Sequence, residues 1–136
     1  MKPGRELDAL IAEKVMGWTD VHLHDGTAKD TKLTTLFYGE WVGRPRGEGA
    51  LRRVLPYSTD IAAAWEVVEK MRASYSFQLQ VPRLPLAGDV FDWSAVFFVR
   101  RTPEEWGAFH SASTAPHAIC LAALRAVGVD VTNPSR

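Results

Sequence analysis

Hydroxyl side chains stand directly before two predicted helices, in Pro56-Tyr57-Ser58-Thr59 and in Ser111-Ala112-Ser113-Thr114-Ala115-Pro116. The first turn of a helix leaves amide hydrogens without intrahelical partners, and the helix dipole favours negative charge there. Arg44, Arg46, Arg52 and Arg53 lie just upstream of the first start, and guanidinium forks match phosphate geometry. Tyr57, Tyr38 or Trp41 could stack on a base. The candidate ligand-binding set is Arg44, Arg46, Arg52, Arg53, Tyr57, Ser58, Thr59, Thr114 and His117. Its chemistry suits a small anionic ligand, with a cyclic or signalling nucleotide as the natural choice. The ordinary alternative is that such hydroxyls are helix caps and such arginines are solvated.

Other chemistry is weaker. Asp20, His22 and His24 alternate on a predicted strand, so they could offer oxygen and nitrogen ligands on one side, with His110 or His117 completing the set. A polar strand face beside a hairpin makes the same pattern, and no metal is assigned. Cys120 falls near the positive end of the last helix with His117 three residues earlier. Among Ile119, Leu121 and Ala123 it reads as a small hydrophobe instead of a nucleophile. No nucleophile elbow, Walker loop or dinucleotide fingerprint is present. No cofactor is implied, and an enzyme is the least supported reading.

Sixteen basic and sixteen acidic side chains in 136 residues cancel, which argues against an extended phosphate track and so against nucleic acid. One cysteine excludes an internal disulfide framework. No apolar run reaches transmembrane length and no signal peptide is visible, so a soluble cytoplasmic protein is expected. The length suits one domain over residues 1–136. Five tryptophans and six phenylalanines exceed what one small core easily hides. Trp41, Trp106 and Phe109 fall in loop-like or edge contexts, which favours an interface and a homo-oligomer.

Three helices must position these groups. Arg5 to Met16 carries Leu7, Leu10, Ile11 and Val15 on one face and Asp8 outside it, and Gly17 ends it. The central helix follows Pro56, with Ser58 as N-cap and Asp60 near its positive end. Ile61, Ala64, Trp65, Val68 and Met71 form its apolar stripe. Ala115 to Val127 closes the chain, with Pro116 in its first turn, a stripe of Ile119, Ala123, Leu124 and Val127, and Gly128 as its stop. Strands are expected at Thr19 to His24, Lys32 to Val42, Ser74 to Val81 and Val90 to Arg101. Short ones fit Leu51 to Leu55 and Trp106 to His110. The order predicts an α+β sandwich, an antiparallel sheet of four to five strands packed by three amphipathic helices.

Three blocks resemble the phage ABA sandwich domain family. They are Gly4-Arg5-Glu6-Leu7-Asp8-Ala9-Leu10-Ile11-Ala12-Glu13-Lys14-Val15-Met16-Gly17-Trp18, Tyr57-Ser58-Thr59-Asp60-Ile61-Ala62-Ala63-Ala64-Trp65 and Thr114-Ala115-Pro116-His117-Ala118-Ile119-Cys120-Leu121-Ala122-Ala123-Leu124. The resemblance implies a small α/β sandwich of phage or prophage origin, acting in the cytoplasm of an infected or lysogenic bacterial host. It implies no activity and no catalytic residues. The segments Thr27 to Gly49 and Pro82 to Phe109 are longer than the family suggests. The combined expectation is a non-enzymatic accessory protein that binds a small anionic ligand, in a role such as sequestering a nucleotide signal of host defence. The alternative is an interaction module that inhibits or bridges a host or phage protein.

Overall fold

Helix α1 (Arg5–Lys14) opens the fold in a computed structural model that describes residues 1–24, 39–81, 92–99 and 109–130. Leu7, Ile11, Ala12 and Val15 bury one side of it. Gly17 takes φ +79°, as a glycine ending a helix is free to do. The amide of Trp18 then donates to Ala12 O at 2.9 Å, and the buried indole anchors the exit.

Strand β1 (Thr19–Leu23) pairs antiparallel with β2 (Trp41–Arg44), and β2 pairs antiparallel with β3 (Arg52–Arg53). The register slips between Thr19 and His22, where Asp20 takes φ +55°. The strand expected from Lys32 reaches the described residues only at its end, and its earlier part, with Tyr38, lies outside them.

Gly43 of β2 has a steric reason. A Cβ built there would stand 2.9 Å from Val21 Cγ2, 3.1 Å from Trp18 Cε3 and 3.4 Å from Thr19 O. Gly43→Ala should therefore cost about 1–3 kcal/mol through overpacking, read as a lower urea midpoint. An unchanged midpoint would show that Val21 and Trp18 move aside freely.

Helix α2 (Ile61–Met71) precedes β4 (Ser76–Gln80), β5 (Trp93–Phe98) and β6 (His110–Ala112), and α3 (Ala115–Ala126) follows. These strands form a second antiparallel sheet in the order β4-β5-β6. As the central strand, β5 buries Ala95, Val96 and Phe97. The helices are as expected, but the strands divide into two three-stranded sheets where one sheet of four to five was expected. Helices join them. α1 packs on β1, β2 and α3, while α3 packs on β5, β6 and α2. A helix covered on several sides must be apolar nearly all round, and nine of the twelve residues of α3 are buried.

Two apolar stripes shift from expectation. α2 buries Ala63, Ala64, Val67, Val68 and Met71, leaving Ile61 and Trp65 49% and 47% exposed. On α3 Leu124 is fully buried, and Val127, just past its end, is 38% exposed. Among the described residues no helix is long and apolar enough to cross a membrane.

Candidate functional site

The first turn of α1 lies beside β2 and β3, and a cleft of about 180 Å³ opens between them, lined by Arg5, Asp8, Glu40, Trp41, Arg53 and Val54. Pairing across the sheet assembles its floor. Val42 stands opposite Arg53, and the amide of Val54 donates to Trp41 O at 3.0 Å. The Arg53 guanidinium then meets Glu40, with Nε donating to Oε2 at 3.1 Å. Trp41 is half-buried beside these charges.

A buried polar knot supports the wall. Asp8 is 6% exposed and Ser58 fully buried. Asp8 Oδ1 accepts from the Ser58 amide at 2.7 Å and from its hydroxyl at 2.6 Å. Ser58 Oγ accepts in turn from the Gly4 amide at 2.8 Å. Gly4 has no side chain with which to cap α1, so a serine 54 residues away satisfies that start. Burial holds the Asp8 carboxyl above its ordinary value, against the opposing pull of both Ser58 hydrogen bonds.

Of the residues expected to bind ligand, Arg53 lines the cleft, as does Trp41, one of the expected stacking rings. Arg44 Nε lies 3.4 Å from Asp20 Oδ2, and Arg44 also donates to Gly49 O. Arg52 Nη2 pairs with Glu48 Oε1 at 2.6 Å. Arg46 is exposed. Tyr57 is a core residue, 1% exposed, and its phenol is pushed up by burial first and then by Glu66, Cys120 and Asp8. A ring held there has no face free for a base.

The helix starts do not meet at the cleft. Ser58 is not the N-cap of α2. That role belongs to Asp60, whose side chain accepts from the Ala63 amide at 3.3 Å. Thr59 is exposed in the preceding turn. Thr114 caps α3, accepting from the His117 amide at 3.4 Å. The His117 ring contacts Met1 O through Nε2 at 2.7 Å. Both starts are closed by their own side chains, as helix caps ordinarily are.

Three further groups have clear physical states. Burial pushes the Cys120 thiol up, with a smaller contribution from Asp8, so it stays protonated and poorly nucleophilic. Asp20 and His22 sit together, their side chains 3.4 Å apart, whereas His24 is buried and its Nε2 meets no hydrogen-bond partner among the described residues. Among the described residues no group of three or more His, Cys, Asp or Glu is placed to hold a metal ion.

Arg5, Asp8, Glu40 and Val54 were absent from the expected site. Asp8 left a usable signal, since Leu7, Ile11, Ala12 and Val15 bracket it on the helical wheel. A carboxylate at the middle of an apolar arc needs a buried partner. Its partner was out of reach of any local pattern.

Comparison with known proteins gives this geometry a setting. The phage ABA sandwich domain model matches residues 9–124. A solved structure, described as a phage protein from Bacillus cereus ATCC 14579 at 2.0 Å, superposes with a TM-score of 0.58 at 26% identity, covering 97% of this chain and 93% of that one. None of the curated proteins matches.

Proposed function

The chain belongs to the phage ABA sandwich domain family, and from that footing we propose that it is a non-catalytic accessory protein whose cleft binds a small anionic ligand, a nucleotide above all. The observation that carries this reading is the company Trp41 keeps. The same cleft that holds Trp41 is lined by Arg5 and Arg53 and by Asp8 and Glu40. Among the described residues two cations and two carboxylates leave the lining without net formal charge, so a bare anion gains little there. A nucleotide answers both signs: its phosphate meets the guanidinium groups, its base stacks on the indole, and base N–H groups donate to a carboxylate. The volume is below the roughly 300–1,000 Å³ of a drug-sized site. It receives one part of such a ligand, the remainder lying over the sheet. In a phage setting this chemistry would sequester a nucleotide signal in the cytoplasm of the host.

Thermal shift decides the matter. A nucleotide at a hundredfold excess over its Kd should stabilise the protein by about 2.7 kcal/mol, while inorganic phosphate should do much less. Arg5→Ala and Arg53→Ala should each reduce the shift while leaving the ligand-free melt close to that of the natural chain, since surface ion pairs add little. No shift across linear and cyclic nucleotides would overturn the reading.

A second reading is favoured by the exposed Ile61 and Trp65 of α2: an interaction module that blocks or bridges a host or phage protein. Recovery of such a protein in a pull-down, with no nucleotide response, would select it.

A further inference from the structure

We propose that the chain pairs with a second copy of itself along the outer edge of β4, with the two α2 helices side by side over the joined sheet. In the order β4-β5-β6, one edge of β4 is bonded to β5, and among the described residues no strand pairs with the other. Soluble proteins usually blunt such an edge with lysine, proline or a bulge. β4 reads Ser76-Phe77-Gln78-Leu79-Gln80, with neither charge nor proline. It runs in unbroken register with β5 over all five residues.

The apolar flank of α2 is continuous with that edge. The Trp65 ring stands edge-on to Phe77 of β4, centroids 6.2 Å apart, and Phe77 lies 4.7 Å from Phe97 of the buried strand. Half-exposed Trp65 and Ile61 therefore extend the core outward beside a backbone edge that no described strand pairs, a form suited to burial against another surface.

Reciprocity points to a second copy as the occupant. An antiparallel edge is its own complement about a two-fold axis, each N–H row meeting the other's C=O row. The flank of α2 is self-complementary too. It carries Ile61 and Trp65 toward its start, and the Glu69–Arg72 pair, 3.1 Å apart and exposed, at its end. Two such helices laid antiparallel set each indole against the partner's Arg72 end, where a guanidinium can lie on the ring. With equal numbers of acidic and basic side chains, two copies meet without net repulsion. The product is a six-stranded sheet.

Sedimentation equilibrium of the full chain over a wide concentration range tests this. The natural chain should be a dimer. Trp65→Glu should weaken the dimer at least about thirtyfold, as loss of a central aromatic anchor does. Ser76→Lys with Gln80→Lys should weaken it comparably by charging the edge, with an unchanged circular dichroism spectrum because both positions are exposed. If Trp65→Glu does not fold, the lysine pair alone decides. A monomer at every concentration, or a dimer that the lysine pair leaves intact, would overturn the proposal. Capture of a different protein by a monomeric chain would do so as well.

Discussion

Asp8→Ala is expected to destabilise the domain by about 2–3 kcal/mol, because it strands one buried donor and leaves a second with only its longer bond, to Gly4 O at 3.3 Å. The Ser58 amide and hydroxyl both end on Asp8 Oδ1, at 2.7 and 2.6 Å, and Ser58 is fully buried. Alanine leaves the amide facing a methyl group and the hydroxyl with Gly4 O alone. The loss should appear in urea unfolding as a lower midpoint with the slope retained. A variant as stable as the natural chain would mean that water enters and replaces the carboxylate. Asp8→Asn separates hydrogen bonding from charge, since its amide oxygen still accepts. Burial raises the folded pKa of Asp8 above 3.8, so the folded protein keeps a proton that the unfolded chain has released. The stability linked to that proton is complete below pH 3.8 and is lost as pH rises through the folded value. The natural chain should therefore lose stability relative to Asp8→Asn across that window, and the two should run parallel above it.

Leu124→Ala should cost about 3–4 kcal/mol, and Val127→Ala, three residues on, no more than about 1 kcal/mol. Both residues belong to the same periodic stripe of the sequence. Leu124 is fully buried in the core cluster, and its truncation leaves a void among close-packed neighbours. Val127 is 38% exposed and follows the end of α3, so water takes the space of its lost methyl groups. Equal losses in a paired chemical denaturation experiment would place the end of the helix deeper in the core than the geometry does.

The helices were legible because their signals are local. Pro116 and Gly128 bracket α3 with opposite backbone demands, and Gly17 ends α1 with the left-handed turn expected of it. The errors came where a local rule met a long-range contact. Ser58 looked like a cap because it precedes a helix; it serves the start of another helix, and Asp60 takes its place. Trp65 looked buried because it shares a period with Val68, yet it stays half-exposed against Phe77 of β4. Alternation identified the strands, but nothing in an alternating pattern states which sheet a strand will join. For the same reason the candidate site was half visible. Trp41 and Arg53 attract notice by residue type, whereas the pairing of β2 with β3 and the approach of Arg5 and Asp8 depend on the whole fold.

The position of α3 in the chain also sets when the protein becomes a folded object. The helix that supplies the greatest share of buried side chains is the last of the described elements to be synthesised. Until residues 115–126 leave the ribosome, α2 and the β4-β5-β6 sheet lack the surface that covers them. The nascent chain must therefore keep its apolar strands in solution until α3 emerges and then consolidate in one step. Ribosome-bound chains arrested before α3 should accordingly be digested readily by protease, and chains long enough to expose it should resist.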